Sequence, residues 1–311
     1  MASYLVTGGA GFIGSHVAEE LVRRGETVRI LDNFDSGTPG NISQFRQDVD
    51  LVEGDLQDLS ILRKALDSID YVLHLAAVRS VPRSVDDPLS TNKVNVQGTL
   101  NVLWGAKEVG VKRVVNASSS SVYGGGGKLP QVETQVPNPL SPYAVSKLAA
   151  ENYCEVFSKI YDLETVSLRY FNVFGPRQDP KSQYAVVVPI FIDAGLNGRQ
   201  VEIHGDGLQS RDFTYIANTV DATLLAAVTP GISGKVFNIA CGKRYSVLDL
   251  LKTIEGLLGI SIRYVHTKPR PGDARHTQGD ISLASQLMGY KPKVSFEDGL
   301  RNTIEWFKNN T

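Results

Sequence analysis

The chain has 311 residues, 42% of them hydrophobic, and its 32 Lys and Arg are balanced by 33 Asp and Glu. That length can bury a large core and suggests one large domain carrying a smaller one. The near-zero net charge excludes the electrostatic footprint of a dedicated nucleic-acid or membrane-surface binder. Only Cys154 and Cys241 are present, without metal-ligand spacing, so two free thiols and no bound metal are expected. The N-terminus runs directly into Tyr4-Leu5-Val6 and no apolar stretch of about 18 residues follows, so the expectation is a cytoplasmic protein without a membrane partner.

In chain order, short runs rich in Val, Ile and Leu at 4–7, 28–31, 49–53, 71–75, 113–117 and 165–170 read as buried parallel strands. Helical periodicity lies between them at 12–24, 91–109 and 143–161. This β-α-β-α alternation predicts an α/β fold, a doubly wound parallel (Rossmann) sheet with a smaller C-terminal α/β substrate domain. After Asn172 the alternation loosens and Gly and Pro thicken, before another apolar run at 236–239, followed by a helical stretch at 247–258, that is expected to return the chain to the first sheet. The expected division is a dinucleotide-binding domain over 1–171, rejoined by 212–241, and a substrate domain over 172–211 and 242–311.

The first strand leads into Gly8-Gly9-Ala10-Gly11-Phe12-Ile13-Gly14 and then a helix. In that context the glycines let a pyrophosphate approach the backbone and face the helix amides. The second strand ends in Asp32, roughly 20 residues on, where a carboxylate accepts the hydroxyls of an adenosine ribose and repels a 2′-phosphate, so NAD is expected over NADP. Further along, Ser141-Pro142-Tyr143-Ala144-Val145-Ser146-Lys147 puts Tyr143 and Lys147 at i and i+4 on one helix face. A phenol is a poor base at neutrality, and a neighbouring ammonium favours its ionised form. The serine run 118–121 ends the fifth strand, where ligands bind in such sheets, but the sequence alone does not choose which serine points inward.

Together these residues resemble the extended short-chain dehydrogenase/reductases over essentially the whole chain, and most of all the nucleotide-sugar 4-epimerases. The resemblance implies a cofactor site built from Gly8, Gly11, Phe12, Ile13, Gly14, Asp32, Asn33, Asp55, Leu56, Leu75, Ala76, Ala77, Arg79, Asn95, Tyr143, Lys147 and Tyr170. It implies a catalytic set of Tyr143, Lys147 and Ser119, and UDP-sugar contacts from Arg83, Ser118, Ser119, Ser120, Tyr143, Asn172, Val188, His204, Arg211, Arg270, Asp273 and Thr277. Arg211 and Arg270 would meet the diphosphate, Asp273 the uridine ribose, and Thr277 the space beside the sugar C2 substituent. The segment Ser80-Val81-Pro82-Arg83-Ser84 is similar to that of 4-epimerases handling N-acetylated sugars. A homodimer formed through the helices at 91–109 and 143–161 is expected on the same grounds.

The reaction so implied oxidises C4 of a UDP-hexose on NAD, lets the 4-keto sugar turn about its diphosphate, and returns the hydrogen to the other face. The alternatives are a 4,6-dehydratase, which would carry an Asp-Glu pair where Ser120 and Ser121 stand, and a UDP-glucuronate epimerase or decarboxylase, the latter with a Glu at Ser121. A non-catalytic NAD-binding protein is the rival from outside the enzymes.

Overall fold

The computed structural model describes residues 1–125, 127–180, 186–269 and 274–310. The first half alternates as the periodicity requires. β1 (Ser3–Thr7), α1 (Phe12–Arg23), β2 (Thr27–Asp32), β3 (Asp50–Glu53), α2 (Leu59–Leu66) and β4 (Tyr71–His74) are followed by the short helices α3 (Val81–Asp86) and α4 (Pro88–Asn92). Then come α5 (Gly98–Val109), β5 (Arg113–Ser119), α6 (Pro142–Ile160) and β6 (Glu164–Tyr170). The helix expected over 91–109 is not continuous. A π-helical turn, Lys93–Gln97, separates α4 from α5 and turns the Asn95 side chain into the protein, where it bonds the backbone of Val78. Such wide turns recur where a helix must aim a functional side chain.

The later elements are β7 (Val173–Phe174), α7 (Val187–Leu196), β8 (Val201–His204), β9 (Ser210–Arg211), β10 (Thr214–Tyr215) and α8 (Ile216–Val228). They continue through β11 (Lys235–Ile239), β12 (Tyr245–Ser246), α9 (Val247–Leu258), β13 (Tyr264–Thr267), α10 (Ser282–Met288) and α11 (Phe296–Asn310). Seven strands form one parallel sheet in the order β11-β6-β5-β4-β1-β2-β3. The chain reverses direction of growth between β1 and β4, the switch point at which doubly wound sheets bind ligands.

Burial on both faces explains the unbroken apolar strands. In β1, Tyr4 and Val6 join the core shared with α1 and α8, while Leu5 between them joins the opposite core with α2, α5 and α6. The predicted return of 236–239 to the sheet is seen, as β11 pairs with β6 from Lys235↔Val166 to Ile239↔Tyr170. It is α8 that covers the sheet, whereas α9 packs on α7 and α11 in the smaller region. That region carries three two-stranded pairs, β7 with β10, β9 with β12 and β8 with β13. Among the described residues no helix is long and apolar enough to cross a membrane.

Candidate active site

The switch point opens into a cleft of about 480 Å³, within the range of small-molecule sites. The glycine loop forms its floor because nothing larger fits. A Cβ on Gly14 would lie 2.1 Å from the Gly8 carbonyl oxygen, and one on Gly8, whose φ is +69°, would lie 2.8 Å from Ala76 Cα. The loop closes through Gly11 N–H donating to Gly8 O at 3.1 Å, and α1 begins without any side-chain cap, leaving its first amides for an anion. Asp32 is buried at the end of β2. Its carboxylate accepts from Ala10 N at 2.8 Å and Phe34 N at 2.9 Å, which leaves acceptor capacity toward the cleft it lines.

Every residue expected at the cofactor lines this cleft except Asn95, which lies beneath it. Asn33 donates to Asp55 at 2.7 Å, joining the ends of β2 and β3. Tyr170 is anchored by its hydroxyl to Thr223 at 2.8 Å. Arg83 reaches over the mouth to Asp35 at 3.2 Å. Gln57, Ser90 and Lys93 also line the cleft, and no motif in the sequence pointed to them.

At the far end, α6 presents Tyr143 and Lys147. Ser141 caps this helix by accepting from Ala144 N at 3.2 Å, and Pro142 occupies the first turn. Lys147 is buried, donates to the Ala117 carbonyl at 2.7 Å and lies 6.0 Å from the Tyr143 ring centre. Burial lowers its pKa to about 8, against the smaller raising effects of Cys154 and Glu151. Burial also raises the Tyr143 pKa, opposed by a hydrogen bond from Ser119 and the charge of Arg79.

The serines have different partners. Ser119 acts on the Tyr143 phenol, and its Oγ also accepts from Ser121 N at 3.2 Å. Ser118 donates instead to Glu151, itself bound to Arg169 by bonds of 2.9 and 2.7 Å in a fully buried ion pair. Ser120 is half-buried in the turn that follows, and Ser121 Oγ is buried without a partner among the described residues. Neither Glu151 nor Arg169 stood out in the sequence, because a single acid in a helix and a single base in a strand carry no spacing signal.

The expected sugar contacts fall into a second group. Asn172, with φ at +32°, follows β6 and donates to the Thr277 hydroxyl at 3.2 Å and to the Asp212 carbonyl at 3.3 Å. Arg211 on β9 donates to the carbonyls of Ser210 and Arg275. Thr277 is buried, its N–H donating to Ser210 O at 3.0 Å, so it belongs to a wall and not to a solvent-facing loop. Asp212, unremarked in the sequence, holds this wall: its carboxylate accepts from Cys241 N at 2.9 Å and Gly279 N at 3.2 Å, and burial raises its pKa to about 7. His204 bonds Thr267 at 2.8 Å between β8 and β13. Val188 is packed in the apolar core and, like Asn172, His204, Arg211 and Thr277, is not among the residues lining the cleft. Arg270 and Asp273 lie outside the described residues.

Residues 4–240 match the model of the NAD dependent epimerase/dehydratase family. The chain is 40% identical to a UDP-N-acetylglucosamine 4-epimerase from Methanobrevibacter ruminantium, solved with UDP-N-acetylmuramic acid, with a TM-score of 0.94 over 100% of this chain and 99% of that one. It is 39% identical to a UDP-glucose 4-epimerase from Thermotoga maritima, solved with UDP-glucose, again at 0.94 and over 99% of both chains. A UDP-glucuronic acid 4-epimerase from Bacillus cereus, solved with UDP-glucuronic acid and NAD, is 36% identical at 0.93 over 99% of this chain and 100% of that one. The glycine floor, the buried Asp32 and the cleft volume fit the NAD held in the Bacillus cereus complex. The chain therefore belongs to the NAD dependent epimerase/dehydratase family, in its nucleotide-sugar 4-epimerase branch, and its cofactor is NAD.

Proposed function

We propose that this chain is a UDP-hexose 4-epimerase acting on UDP-glucose and UDP-galactose and on their N-acetylated counterparts. What supports the reading is the Ser119 hydrogen bond that favours the ionised Tyr143 phenol, with Ser120 and Ser121 standing where elimination or decarboxylation would call for carboxyl groups. NAD, when bound, supplies a reversible acceptor for the C4 hydrogen. Tyr143 takes the C4 hydroxyl proton, Ser119 bonds the same oxygen, and the Lys147 ammonium, fixed by Ala117, favours the ionised phenol. Arg211 anchors the diphosphate while the sugar turns, and Tyr143 returns the proton once the opposite face is presented.

Substrate breadth follows from the wall. Thr277 is small, and its hydroxyl is already engaged by Asn172, so an N-acetyl group fits beside it in both orientations of the sugar. The protein also pairs with a second copy of itself. Along α6, Val145, Tyr153, Val156 and Ile160 form an exposed apolar stripe at helical spacing, with Val145 54% and Ile160 67% exposed, and Trp104 of α5 lies 48% exposed beside Tyr161. Such a stripe marks an interaction surface.

The test is parallel incubation with UDP-glucose, UDP-N-acetylglucosamine and UDP-glucuronate, without added reductant, with products resolved by NMR. We expect the 4-epimers of the first two. A 4-keto-6-deoxy product, loss of carbon dioxide, or turnover confined to the glucuronate would overturn the assignment.

A further inference from the structure

His74, the last residue of β4, is 3% exposed and takes no part in the chemistry above. Its ring sits between two buried threonines, with Nδ1 2.8 Å from Thr7 Oγ1 and Nε2 3.0 Å from Thr99 Oγ1. The proton positions follow from the neighbours. Thr99 gives its single hydroxyl proton to the Asn95 carbonyl at 2.6 Å, so it accepts from His74, and Nε2 carries the hydrogen. Nδ1 is then the acceptor, and Thr7 donates to it while accepting from Ala76 N–H at 3.3 Å.

The resulting chain runs from Ala76 through Thr7, His74 and Thr99 to Asn95. The Ala76 end lines the cofactor cleft, and the Asn95 end holds Val78, which lines it too. Thr7 precedes Gly8 of the glycine floor, and Ala76 belongs to the strip Leu75-Ala76-Ala77 that faces it. Asn95 grips Val78 by accepting from its N–H at 2.8 Å and donating to its carbonyl at 3.0 Å, and donates to Ser146, which in turn bonds the Tyr143 carbonyl at 2.8 Å. One ring therefore sets the gap between the glycine floor and the strip, and connects it to the helix that carries Tyr143.

We infer that His74, with its proton on Nε2, is a positioning residue that sets the affinity for NAD. With the proton on Nδ1 instead, Thr99 would have to donate to Nε2 and give up the Asn95 carbonyl, and Thr7 would accept from the ring as well as from Ala76. Burial depresses the pKa of His74 to about 3, and the Lys147 ammonium pushes it the same way, so the neutral ring persists across the working range. The inference rests on the cofactor and is independent of which sugar is turned over.

Two measurements test it. In full-length protein labelled with ¹⁵N only at its five histidines, the resonance missing from His74→Gln should show the Nε2–H tautomer unchanged between pH 5.5 and 8. By equilibrium dialysis, His74→Leu should raise the Kd for NAD about 10- to 100-fold, as expected for a buried bonding pair lost, and leave that for UDP within about twofold. His74→Gln, which keeps a donor and an acceptor, should recover most of the loss. An Nδ1–H tautomer, a titration inside that range, or NAD and UDP affinities that fall together would overturn the proposal. So would unchanged NAD binding in both variants. Should His74→Leu not fold, the tautomer and the His74→Gln affinities still decide. Failure of the parent to bind UDP would count against the sugar assignment and leave these outcomes readable.

Discussion

The Tyr143 phenol lies where burial opposes its ionisation, so the proposed use as a base depends on the Ser119 hydrogen bond, the Arg79 charge and the neighbouring Lys147. Tyr143→Phe removes the proton acceptor and should lower turnover by about 100- to 10,000-fold with UDP affinity little changed, read by steady-state kinetics and direct binding. Lys147 adds a pH dependence. With its pKa lowered from 10.5 to about 8, the ammonium is present below that value and lost above it, so turnover should fall as pH rises through 8. Lys147→Arg keeps its charge throughout; it should turn over more slowly but without that alkaline fall, and a limb that stays in place would assign it to another group. At the sugar wall, Thr277→Tyr should selectively depress turnover of the N-acetylated pair, whereas loss on both pairs, or neither, would remove Thr277 from that role. Tyr143, Lys147 and Asp32 were legible in the sequence because fixed spacings carry them. The division of labour between Ser118 and Ser119 was not, since it depends on Glu151 and Arg169, which sit on other elements.

At the level of elements, α6 is fastened to the sheet by polar clamps. Lys147 holds the Ala117 carbonyl of β5, Glu151 accepts from Ser118 one residue on, and the Glu151–Arg169 pair reaches β6. Arg169 also stacks 4.6 Å from the Tyr123 ring centre, whose hydroxyl donates to Asn238 of β11 at 2.7 Å. Three adjacent strands and the catalytic helix thus share one buried network. Breaking such a pair strands the remaining charge, so Glu151→Ala should cost about 3–5 kcal/mol in chemical denaturation. Glu155, one turn further along the same helix, pairs with Lys159 at the surface, and Glu155→Ala should cost at most about 1 kcal/mol. Comparable losses in the two variants would refute the clamp. The break in the helix expected over 91–109 has the same origin: periodicity reports the apolar face, but not the turn at which Asn95 is rotated inward for Val78.

For the whole molecule, the parallel sheet was legible because its inner strands are buried on both faces, whereas the smaller region was not. Its pairs β9 with β12 and β7 with β10 are only two residues long and are held by loops and by Asp212, leaving no periodic trace. The stripe on α6 is testable at this scale. Val156→Glu places a charge in its middle and should convert a dimer to a monomer in sedimentation velocity, with the circular dichroism of the fold retained; a parent that sediments as a monomer would refute the pairing. The strand order has one more consequence. β6 receives its outer neighbour, β11, only after the segment 171–234 has been made. During synthesis on a ribosome, β6 therefore waits as an uncovered edge, with the Arg169–Tyr123–Asn238 connection still open, while Asn172, Arg211 and Asp212 emerge. The nascent chain is most exposed to wrong pairing over that interval, and the last parallel strand is what ends it.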